Sequence, residues 1–185
     1  MRDIAAALLE PIENLAGGVA FFGHCGGAVL AYEVAHQLRA QGRCGPVQLI
    51  VSAQVSPSTP DPPDAPMVHG LAAPELLRHL EYIGGIPPEL LSNAELMSFL
   101  LPAIRGDLQA IEEYSYDVTQ VPLEIPVVAL GGQKDHLIAP ADLATWHLST
   151  KDLFAMHLFP GGHFFLADFE QQALRVIEHH LRASA

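Results

Sequence analysis

At 185 residues, half of them apolar, the chain is long enough for one domain with a sizeable core and too apolar to be disordered. Nine Lys and Arg stand against 21 Asp and Glu, a formal net charge of −12, which leaves no basic surface for phosphates and excludes nucleic acid as a partner. No uncharged apolar run approaches the roughly 18 residues of a membrane span. The first ten residues carry acids and no cleavage pattern, and Cys25 and Cys44 form no CxxC or disulfide framework. These features point to a reduced, cytoplasmic protein with no membrane partner, in which Cys44 is a plain structural thiol.

Residues 3–15 carry Ile4, Leu8, Leu9 and Ile12 at helical spacing and stop at Gly17-Gly18. Residues 19–22 are a short, wholly apolar run, as expected of a strand covered on both faces. Residues 26–41 read as a helix with Glu33, His36, Gln37 and Gln41 on its polar stripe and Gly42 at its C-cap. Residues 47–51 form the next buried strand, and the Pro/Ser/Asp-rich stretch 56–66 is a loop. A helical block over 74–116 is broken at Gly84-Gly85 and Pro87-Pro88. The sheet resumes at 126–130, a short helix follows at 139–147, then a strand at 154–159 and a closing helix at 169–181.

Alternating buried strands and helices predict an α/β fold with a parallel sheet covered by helices on both faces. The helical block is too long for a simple crossover. It reads as an inserted lid over about 67–120 within a single domain spanning 1–185. Its many leucines suit an acyl channel, and Arg105 with Asp107 reads as a salt bridge within it or, as the less favoured alternative, as a carrier-docking pair.

Chemistry concentrates at three strand ends. Gly23-His24-Cys25-Gly26-Gly27 lies between the first strand and the first long helix, which is the pattern of a G-x-nucleophile-x-G elbow with cysteine as nucleophile. Asp135 follows the third strand in Gly131-Gly132-Gln133-Lys134-Asp135. His163 follows the fourth in Pro160-Gly161-Gly162-His163. Open α/β sheets place their sites at this edge, and the order nucleophile, acid, histidine is that of α/β-hydrolases. In that arrangement Cys25 attacks a carbonyl, His163 takes its proton, and Asp135 fixes the histidine tautomer. The N–H of Gly26 supplies one oxyanion donor. His24 either lines the site for substrate or packs beneath it. The remaining histidines have no metal-ligand spacing, so no metal is expected, and His179-His180 read as solvated.

Four segments resemble the type II, or editing, thioesterases of polyketide and nonribosomal-peptide assembly lines. They are FGHCGGAVLAYEVA at 22–35, LPAIRGDLQAIEEYSY at 101–116, IPVVALGGQKDHLIAP at 125–140 and LFPGGHFFL at 158–166. The resemblance implies an α/β-hydrolase fold and release of acyl groups from the phosphopantetheine arm of an acyl or peptidyl carrier protein, with no cofactor of the enzyme's own. By position it assigns the triad to Cys25, Asp135 and His163. The excess of apolar side chains in the lid, Leu100 and Ile104 among them, suits a substrate channel, although any one of them could instead pack on the main domain.

The sequence departs from that family in having cysteine for serine and in lacking the family's first strands, with the loop that carries the second oxyanion donor. A second chain, a swapped copy or a separately encoded piece is therefore expected along the strand at 19–22. Cysteine would tilt the chemistry from hydrolysis towards acyl transfer. The competing reading is a non-catalytic hydrolase-fold module that binds an acylated carrier or a partner chain.

Overall fold

The computed structural model describes residues 1–15, 17–59 and 67–183, the side chain of Glu13 excepted. The chain divides into two compact units, Met1–Thr59 with Tyr116–Ala185, and Pro60–Ser115. The part of the expected proline-rich loop at 60–66 lies outside the described residues.

The first unit is an α/β sheet unit. Its strands are β1 (Ala20–His24), β2 (Gln48–Ser52), β3 (Val127–Gly132) and β4 (Phe154–Phe159). They pair in the order β1-β2-β3-β4, all parallel. Helix α1 (Arg2–Glu13) precedes β1, and α2 (Gly26–Ala40) joins β1 to β2. The alternation of side chains along β2 explains its continuous apolar run. Leu49 and Val51 pack with Ala28, Tyr32 and Ala35 of α2, whereas Ile50 packs with Phe165 and Ala173 beyond β4.

In the second unit the helical block resolves into α3 (Ala73–Ile83), α4 (Pro88–Leu91) and α5 (Ala94–Glu112), ending and restarting near Gly84 and Pro87 as the breakers dictate. The sheet unit finishes with α6 (Pro140–Ala144), a 3-10 turn at Thr145–Ser149, and α7 (Leu166–Ala183), which kinks at Phe169. Helices α2 and α6 cover one face of the sheet and α7 the other. Crossovers of one hand stepping in one direction require α2 and α6 to share a face.

The core on the α2 face is built around two completely buried aromatics, Trp146 and Tyr32, edge to face at 5.6 Å. The Trp146 Nε1–H donates to the Gln54 carbonyl at 2.7 Å. The Tyr32 hydroxyl bonds Tyr116 and Ser149, and burial holds it well above the usual tyrosine range. Ser149 Oγ lies 2.6 Å from Ser56 Oγ, which lies 2.8 Å from Ser58 Oγ. The hydroxyls of this cluster thus satisfy one another, as a low-dielectric interior demands.

Three local expectations are revised. The polar stripe of α2 is not solvated: Glu33 is 2 % and His36 6 % exposed. Helix α1 packs along α2 through Ala5, Leu9, Val34 and Leu38. Arg2 Nε sits 3.9 Å from the Glu33 carboxylate, and Gln37 Nε2–H donates to it at 2.9 Å. Strand β1 is not covered on both faces either. It stands at the end of the strand order and leaves Phe22 47 % exposed beside a groove of about 380 Å³ lined by Leu8, Ile12, Ala20 and Leu30. Cys44 is exposed rather than packed.

Within the helical unit, Val68, Leu76, Leu80 and Met97 form a separate core. Both oxygens of Glu112 accept from the Val68 and His69 backbone, and Glu112 also pairs with the His69 ring. Arg105 donates to the His69 carbonyl rather than pairing with Asp107 as the sequence suggested.

Candidate active site

Cys25 sits where β1 turns into α2. Its backbone is at φ 53°, ψ −126°, a conformation that a side-chain-bearing residue rarely adopts, and it precedes the first residue of the helix. The turn is held from below by the Cys25 N–H, which donates to the Ser52 carbonyl at 2.8 Å, and from above by the Cys25 carbonyl, which accepts from Ala28 N–H at 2.9 Å. Gly23 makes the turn possible. A Cβ there would fall 2.1 Å from the Gly27 carbonyl oxygen, so nothing larger than hydrogen fits. Gly27 is different: a Cβ at that position would meet no atom within 4 Å. Only the first glycine of the motif is sterically required.

Gly26 is the first residue of α2, so its N–H belongs to the helix turn that lacks intrahelical acceptors. The positive end of the helix therefore lies at the sulfur. This is the arrangement a developing oxyanion needs on one side.

The acid and histidine loops are locked together through backbone. Gln133 N–H donates to the Phe159 carbonyl at 2.7 Å, and Lys134 N–H donates to the Gly161 carbonyl at 2.8 Å. The approach is so close that a Cβ on Gly132 would fall 2.2 Å from the Gly162 carbonyl oxygen. The paired glycines at the ends of β3 and β4 are thus contact surfaces.

This docking brings Asp135 to His163. The Asp135 side chain is 1 % exposed and that of His163 5 %. His163 Nδ1–H donates to Asp135 Oδ2 at 2.9 Å. The other carboxylate oxygen accepts from Leu137 N–H at 2.8 Å and Ile138 N–H at 3.1 Å. With Nδ1 committed, Nε2 is the ring atom left for Cys25, which lies close enough to His163 to raise its pKa. Burial pushes the His163 pKa down. The hydrogen bond and charge of Cys25, with the charge and hydrogen bond of Asp135, push it up by more, and the net result lies above the ordinary histidine value. The imidazolium form is therefore favoured when the sulfur is a thiolate. Sulfur, imidazole and carboxylate thus come from three loops to one end of the sheet, with the imidazole bonded to the carboxylate.

His24 lies beside this chain. Its Nδ1 is 2.9 Å from Ser52 Oγ, its register partner on β2. Its ring packs against His163 at 5.4 Å between centroids, Phe164 at 5.5 Å and Phe165 at 6.3 Å. Burial and the neighbouring His163 lower its pKa to about 4, against a smaller opposing pull from Asp135. Ser52 was not singled out in the sequence. The available signal was a lone hydroxyl closing the apolar run Leu49-Ile50-Val51, at the strand end next to the nucleophile.

Leu100 and Ile104 lie on α5 in the other unit, where they pack on its own core beside Met97 and Leu80. Of the histidines expected to be solvated, His180 instead meets His157 of β4, with their Nε2 atoms 2.9 Å apart. Among the described residues no three His, Cys, Asp or Glu side chains gather as a metal site, and no helix is long and apolar enough to cross a membrane.

Known proteins agree with this geometry. Residues 1–183 match the family model described as a thioesterase domain. The chain is 36 % identical to linear gramicidin dehydrogenase LgrE of Brevibacillus parabrevis, over 99 % of this chain and 68 % of that protein. It is 32 % identical to gramicidin S biosynthesis protein GrsT of Aneurinibacillus migulanus, over 97 % and 68 %. It thus spans about two thirds of the length of these relatives. Among solved structures, BorB, a type II thioesterase from the borrelidin biosynthetic cluster, superposes with a TM-score of 0.85 at 33 % identity, covering 97 % of this chain and 72 % of BorB. An α/β parallel sheet with a tight strand-to-helix elbow at Cys25 and matches over nearly its whole length place this chain in the thioesterase-domain family.

Proposed function

We propose that the chain is a thioesterase-like acyl hydrolase or acyltransferase of the type II kind, acting on acyl groups borne on the phosphopantetheine arm of a carrier protein. The observation that carries this reading is that His163, bonded to Asp135 through Nδ1, lies close enough to Cys25 for the sulfur to raise its pKa. Cys25 Sγ attacks the thioester carbonyl while its proton passes to His163 Nε2. The tetrahedral oxyanion is met by the Gly26 N–H. Collapse breaks the carbonyl–pantetheine C–S bond, and His163 returns the proton to the departing thiolate. A thiol, amine or water then attacks the acyl-cysteine, His163 takes its proton, and Cys25 leaves as the thiolate to be reprotonated. Asp135 keeps Nδ1 protonated throughout, so Nε2 remains the acceptor. No cofactor of the protein's own enters these steps, and the free thiol suits the cytoplasm.

The cysteine carries the finer part of the proposal. Exchange between pantetheine and cysteine thioesters is nearly isoenergetic, and the acyl-cysteine reacts more readily with thiols and amines than with water. Transfer between carriers, or onto an amine, is the favoured outcome. Leu100 and Ile104 are assigned to the acyl chain. The open edge of β1 is assigned to a further strand, which would bring the other oxyanion donor. Loss of one such donor costs about 10²–10³ in rate.

Intact-protein mass spectrometry with an acylated carrier tests the core of this. The expected product is an acyl adduct on Cys25 that forms and clears during turnover, and its absence under turnover would overturn the acyl-cysteine mechanism. Equal thioester consumption by wild type and Cys25→Ala would favour the non-catalytic binding module instead.

A further inference from the structure

We infer that His24 is a positioning residue: with Ser52 it forms an uncharged bracket that holds the His163 ring in the plane where Nδ1 meets Asp135 and Nε2 meets Cys25. This rests on the reading of Cys25, His163 and Asp135 as the reacting groups.

A carboxylate holding one nitrogen fixes where an imidazole is anchored, but it leaves the ring free to swing about that contact. His163 has a second constraint. The tilted His24 ring lies 5.4 Å away, and Phe164 stands edge-on at 5.0 Å. His24 is itself prevented from turning, because its Nδ1 is tied to Ser52 Oγ at 2.9 Å. Ser52 is fully buried and fixed in the parallel ladder between β1 and β3. The bracket therefore runs from the sheet, through a hydroxyl and an imidazole, to the His163 ring.

Two features argue that this is more than filling. The His24 Nε2 is buried with no hydrogen-bond partner. An orphaned ring nitrogen costs stability that a phenylalanine would not, so packing alone does not call for an imidazole here. The bracket also stays neutral. The charged and titratable groups facing it are His163, Asp135 and the adjacent Cys25, and a second positive charge beside His163 would oppose the imidazolium that proton transfer creates. Neutrality at His24 leaves the single positive charge to His163.

The test compares wild type, Ser52→Ala and His24→Phe by imidazole-selective proton–nitrogen NMR and by thioester turnover. Ser52→Ala removes one buried oxygen and keeps every ring in place. His24→Phe keeps the ring and removes the anchor. His24→Phe should leave the melting temperature unchanged or raise it, whereas Ser52→Ala, which leaves His24 Nδ1 without its partner, should lower it. Both should also shift or broaden the downfield His163 Nδ1–H signal and lower kcat about 10-fold with KM little changed. The double variant should be no slower than either single one, because each breaks the same link. His24→Asn, whose amide can still reach Ser52, should restore part of the His163 signal. An unmoved Nδ1–H signal in both single variants would overturn the bracket. The NMR readout does not depend on turnover, so a moved signal in a protein that never acylates Cys25 would keep the bracket and remove the mechanism proposed above.

Discussion

Asp135→Asn separates chemistry from stability more cleanly than any other single change. Three hydrogen bonds reach the Asp135 carboxylate. Two come from the Leu137 and Ile138 backbone, and an asparagine carbonyl would still accept both. The third comes from His163 Nδ1–H, and there the amide would present its own N–H. His163 must then accept at Nδ1 and carry its proton on Nε2, facing Cys25. That tautomer cannot take the thiol proton. The same inversion in a serine-protease triad costs about 10⁴ in rate, or about 5.5 kcal/mol of barrier at 1.36 kcal/mol per decade. Folding loses far less, because one charged hydrogen bond becomes a neutral one and no cavity opens. A loss of about 1 kcal/mol, or about 2–4 °C in melting temperature for a chain of this size, is expected. The assay follows Cys25 acylation by a short-chain acyl thioester with stopped-time mass spectrometry, alongside a thermal melt. A variant within 10-fold of wild-type acylation would show that the His163 tautomer does not control the reaction, and the proton-transfer scheme would fall.

Other substitutions test the scaffold. Gly23→Ala should prevent or badly weaken folding, since its Cβ would lie 2.1 Å from the Gly27 oxygen, whereas Gly27→Ala meets nothing within 4 Å and should be neutral or gain about 0.5–1 kcal/mol in chemical denaturation. Equal effects at the two positions would contradict the elbow geometry. Gly132→Ala should part the acid and histidine loops, costing about 1–3 kcal/mol and most of the acylation rate, while far-UV dichroism stays that of a folded α/β protein.

The acid side of the stability profile is set by buried neutral histidines. Burial, and then the nearby Arg39, lower the His36 pKa to about 4 despite the opposing pull of Glu33. Its contribution is complete above the unfolded value near 6.5 and is lost as pH falls from there towards 4, because the unfolded chain binds the proton first. After allowance for partial solvent screening this is about 1–2 kcal/mol. His36→Phe should flatten that limb of a urea-denaturation series. His163, whose pKa is raised, contributes in the opposite sense: its share is complete below the unfolded value and is lost as pH rises through the folded one.

The strand ends that carry Cys25, Asp135 and His163 were legible in the sequence because their signals are local. Glycine closing an apolar run marks a strand end, and a residue just beyond it sits at the sheet edge wherever the strands come to lie. Asp135 and His163 follow a glycine pair, and Cys25 follows the single Gly23. The parallel sheet was legible for the same reason, since Leu49-Ile50-Val51 and the residues from Val127 to Leu130 are continuous apolar runs, as a parallel strand covered on both faces requires. What escaped was tertiary. Glu33 and His36 have the spacing of a solvated stripe, and only the packing of α1 over α2 buries them. Ser52 is one hydroxyl at a strand end, and its partner is 28 residues away. His180 looks solvated on a C-terminal helix until the kinked α7 turns it onto β4. Sequence periodicity reports the face of an element but not which neighbour covers it.

The hydroxyl chain through Tyr32 has an implication for how this fold tolerates change. Ser56 and Ser58 lie just before the helical insertion and Tyr116 just after it, yet all three are tied to one spot through Ser149 and Tyr32. Whatever is spliced between them starts and finishes on the same welded patch, so shortening, lengthening or exchanging that excursion changes its closure entropy only slowly with length. Such a junction lets that excursion diversify by grafting while the sheet ends that carry Cys25, Asp135 and His163 stay in place.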